Sequence, residues 1–212
     1  LAVRPAVLDV LLKRAVDASF NRITVDGDTS TNDAVVLVAA GEADAIEDAD
    51  SARGRALGLA LREACVQLAQ AIVRDGEGAT RFVAVEVSGA RDSAEALACA
   101  YTVAQSPLVK TALFAGDPNW GRILAALGRA GIDDLDVDRV ALHIADTLAG
   151  DEVLVAERGG LAAGYREADG ARVMAAAELA LRVELGRGEV RETVWTTDLS
   201  HEYVRINAEY RS

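Results

Sequence analysis

The side chains most able to do chemistry fall into four polar stretches set between apolar ones. Ser19 to Asp33 brings hydroxyl, amide and carboxylate groups together, and most of these suit turn and capping bonds, because short polar side chains readily bond nearby backbone. Asp75-Gly76-Glu77-Gly78-Ala79-Thr80 places one carboxylate between two glycines. It reads as an exposed acid in a helix-ending turn, or as a place where backbone approaches a ligand closely. Ser106 to Arg122 carries Lys110, Thr111, Asp117, Asn119, Trp120 and Arg122. It fits a capped helix anchored by a tryptophan, or a helix N-terminus open to an anion. In Thr196 to Ser212, Tyr203, Ile206 and Tyr210 recur at helical spacing, as expected of a docked rather than a frayed end.

Common catalytic and binding motifs fail against these stretches. Gly116 to Gly121 has phosphate-loop spacing but continues Arg122-Ile123, so the phosphate lysine and the magnesium hydroxyl are missing. An EF-hand starting at Asp26 would need glycine and glutamate where Thr31 and Leu37 stand. His201-Glu202 opens a zinc-protease pattern that ends on Arg205. No G-x-S-x-G elbow exists. With two histidines and two cysteines in 212 residues, no metal site and no cofactor are expected. His143 and His201 read as packed or surface groups, and Cys65 and Cys99 as buried free thiols.

The overall balance narrows the partners. Lys and Arg total 22 against 34 Asp and Glu, a net charge of −12, which leaves no basic surface to grip a phosphate backbone; nucleic acid is not an expected partner. The chain has 51% hydrophobic and only 4% aromatic residues, so its core must be built from small aliphatics. No basic-then-apolar leader opens the chain, and no apolar run approaches the roughly 20 residues that span a bilayer. A cytoplasmic protein without membrane contact is the expectation.

Elements that would position the polar stretches follow from periodicity. Val7, Leu8, Leu11, Leu12, Ala15 and Val16 predict an opening helix with Pro5 in its first turn. A short strand is predicted over Arg22 to Asp26, and a buried strand over the unbroken apolar run Ala34 to Ala40. Ser51 to Arg74 reads as a long helix, Arg81 to Ser88 as a strand, and Asp92 to Ala104 as a helix ended by Pro107. Leu108 to Ala115 is predicted as a strand. Asp117-Pro118 is read as the cap and first position of a helix closing at Gly131. The period then becomes two, giving strands near residues 140–145, 152–156 and 179–185, and Gly186-Arg187-Gly188 signals a hairpin into Val190 to Thr197. A last helix is predicted over Ser200 to Ala208. This is a mixed α/β, or α+β, chain with a helix-and-strand region over 1–131 and a mainly stranded region over 132–212.

Taken together, Ser19 to Asp33, Gly76 to Thr80, Leu108 to Ala112, Gly116 to Arg122 and the ending from Thr197 to Tyr210 resemble, in order and spacing, the β chain of ornithine acetyltransferase, also called bifunctional glutamate N-acetyltransferase. The resemblance covers essentially the whole chain. It implies layered sheets flanked by helices, an architecture shared with a group of self-processing aminopeptidases, and an enzyme of arginine biosynthesis. Members move acetyl from N2-acetylornithine to glutamate, and some accept acetyl-CoA. They are made as a precursor that cuts itself before a threonine, which becomes the nucleophile at the start of the β chain.

That threonine is expected before Leu1, so no catalytic residue is assigned within this chain. Thr24, Thr29 and Thr31 cannot replace it, since an internal threonine has no free α-amine to act as base. The resemblance assigns substrate binding to Glu77, Asn207 and Ser212, whereas Asp117, Asn119, Trp120 and Arg122 are read as mainly structural groups or supports behind the site. It assigns the oxyanion hole, a lysine and a threonine to an α chain from the same precursor, in an α2β2 assembly that would complete a single domain. Two other readings remain at this point: a self-processing aminopeptidase, and a partner-dependent chain without catalysis.

Overall fold

A computed structural model describes residues 1–41 and 44–209. Two units divide the chain: Leu1–Ile23 with Thr29–Ile72, and Thr24–Asp28 with Val73–Ser212.

In the first unit Pro5 occupies the first turn of α1 (Pro5–Asp17), where its missing N–H costs nothing. Val7 and Leu11 of this helix pack with Ile46 and Ala49, and Leu57 and Leu61 of α2 (Ala52–Arg74) close that small core. Phe20–Arg22 is a 3-10 turn rather than the start of a strand. Residues 34–40 form no strand either: Val36 and Val38 are 79% and 77% exposed. An apolar run has the makings of a strand, but without a neighbour to accept its N–H groups it stays irregular. At 23 residues and a mean hydropathy of 1.3 over its most apolar window, α2 is long and apolar enough to cross a membrane, contrary to the expectation from the sequence. Arg62 and Glu63 interrupt its middle, where charge is most costly in a bilayer.

The second unit is built on one six-stranded sheet in the order β4-β3-β2-β5-β1-β6. In chain order its elements are β1 (Phe82–Ala90), α3 (Ser93–Ala104), α4 (Pro107–Ala115), α5 (Trp120–Leu127), β2 (Ala141–Asp146), β3 (Glu152–Glu157), β4 (Gly160–Leu161), α6 (Glu167–Met174), β5 (Glu178–Glu184), β6 (Val190–Thr197) and α7 (His201–Glu209). Val83, Val85 and Val87 alternate onto one face of β1 and are fully buried among Cys99, Ala100 and Val103 of α3 and Leu179, Leu181 and Val183 of β5. The other face carries Ala84, Ala145 and Ala180 beside Trp195, and an ion-pair chain Glu86–Arg182–Glu152.

Several expectations are corrected here. Gly186-Arg187-Gly188 does not join a hairpin, because β1 lies between β5 and β6, parallel to the first and antiparallel to the second. The turn instead folds around the end of β1: Arg187 N and Gly188 N both donate to Gly89 O. Arg187 also pairs with buried Glu95 at 2.6 Å. Burial raises the Glu95 pKa, but bonds from Arg91 and Arg187 outweigh it and hold the carboxyl below its usual range. Both ladder neighbours of β1, which is second from the edge of the sheet, follow residue 131 in the chain.

Residues 108–115 are helical, not extended. Pro107, which ends α3, also starts α4, and Val109, Ala112 and Leu113 face inward at helical spacing. The cap of α5 is Asn119, whose side chain accepts from Arg122 N, rather than Asp117. The helix ends at Leu127. The strongly polar α6 has no counterpart in the sequence reading. Cys99 is buried, which pushes its thiol up to about 11, while Cys65 is only half-buried.

Candidate functional site

Glu77 and Asn207, 130 residues apart in sequence, meet at one edge of the second unit: Asn207 Nδ2 donates to Glu77 Oε2 at 2.7 Å. Glu77 sits in the turn that follows α2, and Asn207 two turns into α7. Two devices bring them together. Gly78 has φ +64, and a Cβ there would fall 2.4 Å from Tyr203 N, so only glycine lets the turn lie against the first turn of α7. Ser200 then ties both sides, donating from Oγ to Gly78 O at 2.6 Å and accepting from Tyr203 N at 3.2 Å.

Asp198 fixes the rest of the turn. Its buried carboxylate accepts from Thr80 N at 2.9 Å, Thr80 Oγ1 at 2.6 Å and Arg81 N at 3.0 Å. Charge-assisted bonds to backbone amides are among the stronger ones available. The family-like string Thr197-Asp198-Leu199 is therefore a brace for the Gly-Glu-Gly turn.

A third element completes the surface. Tyr203 Oη donates to Asp26 Oδ2 at 2.8 Å, and Asp26 Oδ1 accepts from Asp28 N. Burial, the bond to Asp26 and the negative charge of Asp26, Glu77 and Asp28 together push the Tyr203 phenol up to about 12, so it stays neutral and donates. The result is an exposed acidic surface bearing Asp26, Asp28 and Glu77, with Asn207 and Tyr203 as its polar neighbours. Chemically it suits an ammonium-bearing ligand, which three carboxylates attract and the Asn207 amide can orient. It lies open to solvent and cannot exclude water by itself.

The other residues singled out in the sequence lie elsewhere. Asp117, Asn119, Trp120 and Arg122 form the corner between α4 and α5. Asn119 Nδ2 donates to Asp117 Oδ2, Arg122 Nη1 donates to Leu108 O at 2.8 Å, and Trp120 packs on the core. None of the hydrogen bonds described for this corner reaches Glu77 or Asn207. Ser212 and Tyr210 lie outside the described residues. His201 stacks edge-on against Phe114, and His143 lies on β2. Among the described residues no cluster of three or more His, Cys, Asp or Glu is arranged to hold a metal ion.

Sequence reasoning did not single out Asp26, Asp198 or Tyr203 as site residues. Their partners lie more than 100 residues away, and the one local hint was the helical recurrence of Tyr203 with Ile206.

A profile of the ArgJ family matches residues 1–212. Over 209 residues the chain is 57% identical to the arginine biosynthesis bifunctional protein ArgJ of Pseudomonas fluorescens (strain Pf0-1), covering 97% of this chain and 50% of that protein. The protein of the same name from Pseudomonas syringae pv. tomato is 55% identical over 213 residues, covering 99% and 51%. The chain thus spans about half the length of the curated relatives it matches. A crystal structure of ArgJ from Bacillus halodurans superposes with a TM-score of 0.89 at 35% identity, covering 99% of this chain and 95% of that crystal chain. The chain belongs to the ArgJ family, and its mixed α/β fold is that of the crystal structure.

Proposed function

We propose that this chain is the β subunit of a self-processed acetyltransferase that carries acetyl from N2-acetylornithine to glutamate in arginine biosynthesis. The observation that carries the reading is the Glu77–Asn207 pair, held at 2.7 Å on an acidic surface that attracts an amine. Glu77 binds an ammonium group of the substrate, Asn207 orients its polar atoms, and Ser212 supplies a further hydroxyl contact.

The nucleophile is a threonine that precedes Leu1 in the mature chain. Its Oγ attacks the acetamide carbonyl while its own α-amine, with an ordinary pKa of about 8, takes the proton. The C–N bond breaks, the proton passes to the leaving nitrogen, and ornithine departs from an acetyl-threonine ester. The glutamate amine then attacks that ester, N-acetylglutamate leaves, and the hydroxyl is restored. Two half-reactions through one covalent intermediate predict ping-pong kinetics.

An α chain from the same precursor, in an α2β2 assembly, supplies the oxyanion hole through a Thr-Gly pair, with a substrate-binding lysine and threonine. Two observations favour such a partner. The chain spans half of its relatives but 95% of the crystallised chain from Bacillus halodurans. Large apolar groups are also left in solvent, among them Val36, Val38, Leu59 and Leu68. Asp117, Asn119, Trp120 and Arg122 support the site through α4 and α5 without touching substrate. The reaction is placed in the cytoplasm, with amino acids as the only small-molecule partners unless acetyl-CoA serves as a second donor. Assaying glutamate acetylation with acetyl-CoA and no acetylornithine decides that point.

The direct test is Glu77→Gln in the processed two-chain enzyme. A raised KM for acetylornithine with intact folding is expected, and unchanged kinetics would remove Glu77 from the site. Intact-mass measurement of the natural mature chain should find a threonine at its N-terminus. A chain beginning at Leu1 would end the transferase reading.

A further inference from the structure

Among the described residues Lys110 of α4 is the largest fully buried side chain, at 2% exposure, and the proposed reaction makes no use of it. Its ammonium donates to Thr196 Oγ1 at 3.0 Å, to Thr197 O and, more weakly, to Thr197 Oγ1 at 3.4 Å. All three acceptors are neutral. A buried ammonium held only by neutral oxygens is costly, and a methionine of similar length would fill the same space without that cost.

The geometry shows what the lysine holds. Its backbone O accepts from Leu199 N at 3.1 Å, so one residue ties the last residues of β6 to the segment that leads into α7. Two further links follow: Asp198 fixes the Gly-Glu-Gly turn through Thr80 and Arg81, and Ser200 fixes Gly78 and the first turn of α7. Glu77 hangs from one side of this corner and Asn207 from the other. Thr196 Oγ1 also donates to Ala104 O, which joins the corner to the end of α3.

We infer that Lys110 is a positioning residue for the amine-binding pair: by clamping the corner between β6 and α7, it sets the separation of Glu77 and Asn207 without touching substrate. The inference rests on the acetyltransferase reading only where substrate kinetics are used to test it.

The test is a double-mutant cycle in the processed two-chain enzyme, using Lys110→Met, Glu77→Gln and the pair. Lys110→Met is expected to raise KM for acetylornithine roughly tenfold with kcat within about threefold, and to add nothing in the Glu77→Gln background, because contacts acting through one group are not additive. A loss confined to kcat, or two effects that simply multiply, would overturn the inference. If Lys110→Met does not fold, Thr196→Val removes one acceptor and is expected to show a smaller rise in KM alone; an unchanged KM overturns the idea. If Glu77→Gln proves kinetically silent, the functional reading fails by itself. The crystal structure of Lys110→Met or, where that does not fold, of Thr196→Val then decides the positioning role: a Glu77–Asn207 bond kept at its original length refutes it, and a parted pair upholds it.

Discussion

The corner between β6 and α7 buries a lysine, an aspartate, a serine and two threonines, whereas residues 34–40 expose a run of valines. The usual arrangement is reversed at both places. Lys110, Asp198, Thr196, Thr197 and Ser200 are buried because each finds hydrogen-bond partners there. Val36 and Val38 stay in solvent because, among the described residues, no strand or helix covers them. Burial here follows the availability of partners more closely than residue type.

Breaking the buried side should have the largest effect. Asp198→Ala strips three donors of their acceptor and is expected to cost about 3–5 kcal/mol, measured by urea unfolding of the processed protein. A loss below 1 kcal/mol, on that same scale of effects, would mean that water replaces the carboxylate and the corner is less closed than described.

The buried ammonium gives the next effect, with a definite sign. Burial, only partly offset by Asp198 and Asp26, lowers the Lys110 pKa to about 8. Between that value and about 10.4 the unfolded chain holds a proton that the folded one has shed, so folding gains stability as pH rises through the window. Relative to Lys110→Met, the wild type should gain up to about 3 kcal/mol from pH 8 to pH 10.5. Taking the difference cancels the opposing contribution of Tyr203, whose raised pKa belongs to both proteins. Wild-type stability that fails to rise relative to Lys110→Met across the window would contradict the buried charge.

Gly78→Ala should follow, at about 2 kcal/mol, from its left-handed backbone and the close approach of Tyr203 N. It should also part Glu77 from Asn207, which loss of binding of the proposed substrate, acetylornithine, would report. The smallest effect belongs to the exposed run. Val36→Ser and Val38→Ser are each expected to change the stability of this chain alone by no more than about 0.5 kcal/mol. In the presence of the proposed α chain the same pair should weaken assembly, read by analytical ultracentrifugation. A large loss in the chain alone would show that the run is packed within it.

Much of the fold was legible because periodicity reports directly on burial. The extents of α1, α2, β1, α3, β5, β6 and α7 follow from apolar spacing and end signals. The errors share a cause, which is that local pattern does not name the neighbour. Val109, Ala112 and Leu113 fit an apolar run of either kind until Pro107 is seen to begin α4 as well as end α3. Gly186-Arg187-Gly188 looks like a two-strand turn until β1 is placed between the strands it joins. Residues 34–40 look like a core strand until no partner for them is found. In the site, Glu77 and Asn207 were reached through family resemblance, whereas Asp26, Asp198 and the role of Lys110 depend on bonds across 86 to 177 residues.

The placement of β1 also governs how the molecule is made. Its two ladder partners begin 88 residues or more beyond its own end, at Glu178 and Val190. As the chain leaves the ribosome, both edges of this valine-rich strand stand bare until residues 178–197 emerge. Pairings of such long sequence separation fold slowly, and bare strand edges invite association with other chains. The ladder of β1 therefore cannot close before residues 178–197 have been made, and an early strand inserted between two late ones has to wait with its valines uncovered.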